Sequence, residues 1–179
     1  MLNEPDFPST SLLLLFYERL VRELRKVDPY HLFMVEGNKY AHDFRNFRLP
    51  ADSNTICSFH YYPWFAENNK AKNLRNITAD MGDAPIWCGE WGEDTPANLE
   101  EIKGLLTALP NNCGNAFWTW KRVDENTGHM PLCSVKAPES WNRIMHWMSV
   151  PFGKPTKKET EKGMMEFLEA MKFENCLIK

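Results

Sequence analysis

Residues 85–93 have the sequence Pro-Ile-Trp-Cys-Gly-Glu-Trp-Gly-Glu, a short apolar run followed by an acid between glycine and tryptophan. This pattern is typical of a buried parallel strand. A strand that ends near Gly89 holds Glu90 at its carboxyl end, the edge where parallel-sheet enzymes keep their chemistry. A glutamate beside aromatic rings is therefore a candidate functional carboxylate, although a strand-end acid that only faces water has the same pattern.

Other strand ends carry polar side chains too. The chain opens with Met1-Leu2-Asn3-Glu4-Pro5, and two glutamates at the ends of two strands can form the carboxylate pair of glycoside hydrolysis. The sequence His60-Tyr61-Tyr62-Pro63 follows another apolar run. Alternation along that strand puts His60 and Tyr62 on one side and Tyr61 on the other. The same spacing of a histidine and a tyrosine also occurs in ordinary hydrogen-bonded pairs in a protein core.

Taken together, these motifs resemble glycoside hydrolase family 5, a family of retaining glycosidases with (β/α)8 barrels. Asn3-Glu4-Pro5 is similar to the acid/base motif, and residues 86–92 are similar to the nucleophile strand. Residues 60–63 resemble the sixth strand end and Ala116-Phe117-Trp118-Thr119-Trp120 the eighth. The resemblance covers nearly the whole chain but only the second half of a barrel, which takes about 250 residues when complete.

The resemblance implies a retaining β-glycosidase similar to an endo-β-1,4-glucanase. Glu90 would form the glycosyl-enzyme, and Glu4 would act as acid/base. Asn3, His60, Tyr62 and Trp118 would bind substrate; Tyr62 could also hold the nucleophile, and His60 could instead orient the site. The implied partner is a β-linked polysaccharide or oligosaccharide, and no metal or organic cofactor is needed. The family also implies a secreted parent enzyme, and no signal peptide opens this sequence.

The distribution of apolar runs predicts an α/β fold, which the resemblance specifies as a partial (β/α)8 barrel with parallel strands and flanking helices. We expect one domain over residues 1–179. Its strands are predicted near 31–37, 55–61, 85–90 and 115–120, and its C-terminal helices over 137–149 and 156–173.

Four further residues are candidates for the cleft. Glu36 is a third strand-end acid, which we rank below Glu4 and Glu90 because no matching catalytic motif surrounds it. Asn38 is expected to line the cleft. Trp64 and Phe65 follow the His60 motif and are expected to contribute to a sugar platform.

The composition excludes several classes of protein. The 179 residues are 43% hydrophobic, enough for one domain with a core, and 13% aromatic, which suits a sugar site even if most tryptophans fill the core. A net charge of −3 gives no indication of a nucleic-acid or membrane partner. The 5 cysteines and 5 histidines show no metal-ligand spacing, and the odd cysteine count argues against a complete disulfide set.

Two other interpretations stay open at this point. The chain could be a non-catalytic or weakly active fragment that binds carbohydrate. It could also be a half-barrel that pairs with a second copy as a homodimer, because an incomplete barrel exposes strand edges and apolar surface.

Overall fold

The computed structural model describes residues 1–63, 69–92, 95–123, 131–150 and 152–178. Its contacts divide the chain into two compact units, Met1–Trp118 and Thr119–Lys179. The expected single domain over residues 1–179 stays a prediction. Trp64 and Phe65, expected in a sugar platform, lie outside the described residues.

The first unit is built on a four-stranded sheet with the strand order β1-β2-β3-β4, in which each neighbouring pair is parallel. This confirms the predicted parallel α/β class. The strands are β1 Phe33–Glu36, β2 Thr55–Tyr61, β3 Ile86–Trp91 and β4 Asn112–Phe117. The helices are α1 Thr10–Arg25, α2 Asn38–Ala41, α3 Lys70–Thr78 and α4 Pro96–Thr107.

The last of these strands begins and ends three residues before its predicted bounds. Gly114 lies inside β4 with φ of 154°. A Cβ atom at this position would lie 2.5 Å from the Trp87 ring, so a glycine is needed to let β3 and β4 pair. Strand β4 ends at Phe117, and Trp118 follows its carboxyl end.

The first helix shows why the sequence folds locally as it does. The Ser9 side chain accepts a hydrogen bond from the backbone N–H of Leu12, which caps the exposed first turn. Leu13, Tyr17 and Val21 recur every four residues and are buried. These side chains form the face that packs on the sheet, and each large apolar group buried there contributes about 1.5–3 kcal/mol.

The core of this unit lies between the sheet and its helices. It joins alternate residues of β2, including Cys57, Phe59 and Tyr61, to buried side chains of α1, α3 and α4. Since successive strand residues point to opposite faces, His60 must point away from this core. Within the described ranges, none of the helices combines the length and apolarity needed to cross a membrane.

The second unit contains a small mixed sheet and two helices. Strand β6, Cys133–Val135, pairs parallel with β5, Lys121–Val123, and antiparallel with β7, Leu177–Ile178. Helices α5, Glu139–Ser149, and α6, Lys157–Ala170, lie within the predicted helical segments. The rings of Trp141 and Phe167 stack with centroids 4.2 Å apart, which joins α5 to α6.

Arg25, the last residue of α1, connects that helix to the amino-terminal ends of the first strands. Its Nε and Nη2 atoms donate to the two carboxylate oxygens of Asp52 at 2.9 and 2.8 Å. The guanidinium also donates to the carbonyl oxygens of His31 and Asn54, and it lies 3.7 Å above the Phe33 ring. This end of the sheet is therefore held by one planar cation, remote from the carboxyl ends where the candidate site lies.

The Arg25–Asp52 pair gives a prediction about acid stability. The hydrogen bonds from the Arg25 guanidinium and the Thr55 hydroxyl lower the pKa of Asp52 to about 2. A depressed folded-state pKa adds stability that is complete above the unfolded pKa and is lost as the pH falls through the folded value. We expect Asp52→Asn to be less stable than wild type at pH 7, and the difference to shrink between about pH 4 and pH 2.

Chemical denaturation at a series of pH values measures this difference. Asp80→Asn, which removes an exposed carboxylate, is the matched control and should show no such trend. A stability difference for Asp52→Asn that stays constant down to pH 2 would contradict the assignment.

Candidate active site

His60 lies at the centre of a group of acids at the carboxyl ends of the strands. Its Nδ1 atom is 2.9 Å from Glu4 Oε1 and 3.6 Å from Glu90 Oε2, and its Nε2 atom is 3.3 Å from Glu36 Oε1. The ring is 1% exposed. Because both nitrogens face carboxylates, both are best used as donors, which favours the imidazolium form.

The charge balance around His60 agrees with this geometry. Burial acts to lower the pKa of His60, but the Glu36 and Glu4 carboxylates, with the charge of Glu90, outweigh it and raise the pKa. The stability from these contacts is therefore complete below the ordinary histidine pKa of about 6.5 and is lost as the pH rises through the folded value. The histidine acts here as a buried counter-ion, which favours its orienting role over direct contact with a sugar.

A bulge in β3 brings Glu90 level with His60. Phe59 pairs with Cys88, but the next residue of β2, His60, pairs with Glu90, so Gly89 is the extra residue. A Cβ atom on Gly89 would lie 2.6 Å from Ser58 Oγ and 3.2 Å from the His60 ring, both closer than most real Cβ contacts. The glycine thus allows the bulge, and the bulge directs the Glu90 side chain toward the histidine.

Tyr62, which directly follows β2, binds Glu90. Its hydroxyl donates to Glu90 Oε2 at 2.9 Å. Burial and the neighbouring Glu90 charge raise the pKa of Tyr62, so the phenol keeps its proton and remains a donor. The predicted alternation of β2 is confirmed, because Tyr61 is buried in the core on the opposite face while His60 and Tyr62 reach the acids.

Glu4 is held in an unusual backbone conformation. Its φ angle is 48°, a left-handed value that costs a residue other than glycine about 1–3 kcal/mol. Its backbone N–H donates to Glu36 Oε2 at 2.7 Å. Farther along, the buried Asn38 side chain accepts from the Phe7 N–H at 2.8 Å and donates to the Phe7 carbonyl at 3.1 Å. The segment that carries Glu4 is thus fixed by two polar side chains at the end of β1.

The two remaining predicted site residues lie at the periphery. Asn3 is exposed beside Glu4, and its side chain makes no hydrogen bond within the described part of the chain. Trp118 is 53% exposed, and its backbone N–H donates to the Trp91 carbonyl at 2.8 Å. An exposed indole next to the Glu90 strand is suited to stacking on a ligand. Contact of either residue with a sugar stays a prediction.

The spacing of the acids defines what the site can do chemically. One carboxylate oxygen of Glu4, one of Glu90 and a ring nitrogen of His60 all lie within 4.8 Å of one another. This is near the separation of about 5–5.5 Å that suits attack by one carboxylate and proton transfer by the other, and shorter than the 6.5–9.5 Å that leaves room for a water between them.

The same three side chains are close enough to share a cation. A cation ligated by His60 Nδ1 would have to displace the Glu4 contact at 2.9 Å from that atom. We therefore assign the cluster to ion pairing. The absence of a metal cofactor stays a prediction from the sequence.

Sequence reasoning gave too little weight to two polar residues at the carboxyl end of β1. Glu36 was ranked last among the acids, yet it contacts both Glu4 and His60. Asn38 was expected to line the cleft, but it is 1% exposed and binds the Phe7 backbone instead. The signal that could have found Glu36 was its position at the end of a buried apolar strand, the feature that also singled out Glu90.

Comparisons with known proteins identify the family to which the fold corresponds. The family model for cellulase, glycosyl hydrolase family 5, matches residues 1–124. A β-xylosidase from Phanerodontia chrysosporium is 36% identical over 109 aligned positions, and the match covers 51% of this chain and 23% of that protein. The chain therefore spans about a quarter of the length of that relative.

Two solved structures have the same fold over part of their length. An endo-β-1,4-glucanase from Xanthomonas axonopodis pv. citri has a TM-score of 0.54 at 14% identity, with 90% of this chain and 56% of that one covered. The catalytic domain of a mannanase from Streptomyces sp. SirexAA-E has a TM-score of 0.51 at 18% identity, with 74% and 45% covered. At these identities the likeness shows the fold, and the chain spans about half of each structure.

Gly92, which follows β3, gives a prediction about the integrity of the site. A Cβ atom there would lie 2.3 Å from the Trp118 carbonyl oxygen and 3.6 Å from the Tyr62 ring. Since a backbone atom cannot easily move, Gly92→Ala should lower the free energy of unfolding by about 1–3 kcal/mol.

Gly104 in α4 provides the matched control, because a Cβ atom there meets nothing within 4 Å. Gly104→Ala should raise the free energy of unfolding by about 0.5–1 kcal/mol. Urea denaturation of both variants measures the two effects. Equal effects of the two alanines would show that the close approach at Gly92 is unimportant.

Proposed function

Because this chain belongs to the cellulase family, glycosyl hydrolase family 5, we propose that it hydrolyses β-glycosidic bonds with retention of configuration, with Glu90 as nucleophile and Glu4 as acid/base. The observation that carries the proposal is the approach of the Glu4 and Glu90 carboxylates to within 4.8 Å beside His60. Family membership supports a glycoside hydrolase, and the spacing supports the retaining mechanism.

In the first step, a Glu90 carboxylate oxygen attacks the anomeric carbon of the sugar. The bond from that carbon to the leaving-group oxygen breaks, and the Glu4 carboxyl proton passes to that oxygen. The products of this step are the free leaving-group alcohol, ionised Glu4 and a glycosyl ester on Glu90.

In the second step, Glu4 acts as a base. It takes a proton from a water molecule whose oxygen attacks the anomeric carbon, and the bond to Glu90 breaks. The sugar is released with its original configuration, Glu4 is protonated again and Glu90 is a carboxylate.

The residues around the two acids support these roles. Tyr62 donates to Glu90 Oε2, which fixes the carboxylate and leaves its other oxygen available for attack. The His60 cation lies 2.9 Å from Glu4 Oε1 and 3.6 Å from Glu90 Oε2, so it stabilises the acid that is ionised at each stage, which is Glu90 before the attack and Glu4 in the glycosyl-enzyme.

A β-1,4-linked glucan is the proposed substrate class. The fold match to an endo-β-1,4-glucanase supports it, and the β-xylosidase relative makes an aryl β-xyloside a useful second test substrate. Trp118 would stack on a sugar ring, and Asn3 would hydrogen-bond the 2-hydroxyl, a contact that strengthens in the transition state.

The comparisons do not favour the alternative of a non-catalytic carbohydrate-binding fragment. The chain spans about half of the solved structures it matches. We expect the 179-residue chain to be weakly active.

Two glutamine variants test the proposed roles. Glu90→Gln should abolish turnover on a soluble β-glucan and on an aryl β-cellobioside, because the amide keeps the shape but is not a nucleophile. Glu4→Gln should reduce glucan turnover by about 10²–10⁴-fold, since the natural leaving group needs a proton. An activated aryl leaving group needs no proton, so its release in the first step should be spared.

Steady-state rates and the burst of released aryl alcohol measure these effects. Glu18→Gln, which changes an exposed residue of α1, is the control and should match wild type. Wild-type activity in Glu90→Gln would remove Glu90 from the nucleophile role. An equal loss on both substrates in Glu4→Gln would remove Glu4 from the acid role.

We also propose that the chain self-associates as a homodimer through the edges of its sheet. Strand β4 is an edge of the sheet in the described part of the chain, and its residues Cys113, Asn115 and Ala116 are exposed. An exposed edge presents unpaired backbone groups to a second strand.

Light scattering should therefore give a mass near twice that of one chain. Ala116→Lys, which puts a charge on the edge, should shift the protein toward the monomer. Ala108→Lys, at an exposed position after α4, should not. A wild-type protein that is monomeric at high concentration would contradict the proposal.

A further inference from the structure

The buried acid at the end of β1 has no role in the two-step reaction described above. We propose that Glu36 is a positioning residue that holds the backbone and the carboxylate of Glu4 in the geometry needed for proton transfer. The inference rests on the proposed function of Glu4 and extends it to a third acid.

The contacts of Glu36 reach Glu4 by two separate routes. Its Oε2 atom accepts the Glu4 backbone N–H at 2.7 Å. Its Oε1 atom lies 3.3 Å from His60 Nε2, and the opposite ring nitrogen of His60 lies 2.9 Å from Glu4 Oε1. One carboxylate therefore fixes where the Glu4 backbone lies and, through the imidazole ring, where the Glu4 side chain points.

The backbone route matters because Glu4 has a left-handed conformation, with φ of 48°. Such a conformation persists only where the surroundings hold it. A short hydrogen bond to a charged acceptor is among the stronger contacts that can do so. Without it, the Glu4 segment would be free to relax toward ordinary backbone angles and carry the carboxyl group away from the leaving-group oxygen.

Glu36 is itself held rigidly. Its side chain is 11% exposed, and its backbone N–H donates to the hydroxyl of the buried Tyr17 at 3.2 Å. The support thus runs from α1 through the end of β1 to the candidate acid/base. Because Tyr17 holds Glu36 in place, Glu36 can in turn fix the geometry of Glu4.

The first test measures the contacts and needs no turnover. The carboxylates facing His60 are Glu4 from the amino-terminal segment, Glu36 from β1 and Glu90 from β3. Replacing Glu36 with glutamine removes one of these negative charges, so the His60 pKa, followed by NMR of the ring protons, should fall. Glu18→Gln is the control and should leave it unchanged. A His60 pKa that is the same in wild type and Glu36→Gln would overturn the proposal.

The second test asks whether Glu36 acts through Glu4. Glu36→Gln should slow turnover of soluble β-glucan by about 10–100-fold, the scale expected for a misplaced catalytic group, and should spare the first step on an activated aryl glycoside. In a Glu4→Gln background the same substitution should change the glucan rate by less than about twofold, because the group that it positions is already gone.

These measurements distinguish a failure of the positioning role of Glu36 from a failure of the acid/base role of Glu4. Additive losses in the double variant would show that Glu36 acts independently of Glu4 and would overturn the positioning role alone. If Glu4→Gln by itself leaves glucan turnover unchanged, the proposed function fails and the positioning role fails with it. Should Glu36→Gln not fold, Glu36→Asp, which keeps the charge but retracts it by one methylene, takes its place in the same cycle.

Discussion

A single buried imidazole ring between three carboxylates is the interaction on which the rest of the site depends. His60 is in contact with Glu4, Glu36 and Glu90, which come from the amino-terminal segment and two different strands. Three acids so close together would repel one another in a half-buried site, and the cation among them turns that repulsion into attraction. The strand ends must converge on His60 for the acids to be held at all.

The backbone meets this requirement through local irregularities. The bulge at Gly89 brings Glu90 beside His60, and Glu4 adopts a left-handed φ of 48°. Gly92 gives room for the Trp118 carbonyl where β3 ends. These three features lie at the carboxyl end of the sheet, whereas Arg25 braces the opposite end. Strain that is concentrated near a set of titratable groups is the pattern expected of a catalytic site.

Much of the fold and of the candidate site could be predicted from the sequence, because these features depend on local periodicity. The alternation of β2 correctly put His60 and Tyr62 on the site face, and the apolar runs predicted a parallel sheet. The family motifs identified Glu4 and Glu90, which the fold then brought together.

The features that could not be predicted from the sequence depend on contacts between residues that are distant along the chain. The ends of β4 could not be found because the need for Gly114 arises from the Trp87 ring on the neighbouring strand. Glu36 was undervalued for a related reason. Nothing near it in the sequence indicates that it receives the Glu4 N–H, 32 positions away, or that His60 lies across from it.

Covalent trapping tests most directly whether Glu90 becomes covalently bound to sugar while Glu4 assists. A 2-fluoro aryl β-cellobioside forms the glycosyl-enzyme through its activated leaving group, and the fluorine slows hydrolysis because it destabilises the positively charged transition state. Peptide mass spectrometry then locates the label, even when turnover is slow. The proposed mechanism requires a fluoroglycosyl group on Glu90 in wild type and none in Glu90→Gln. A label on another residue, or a label that persists in Glu90→Gln, would contradict it.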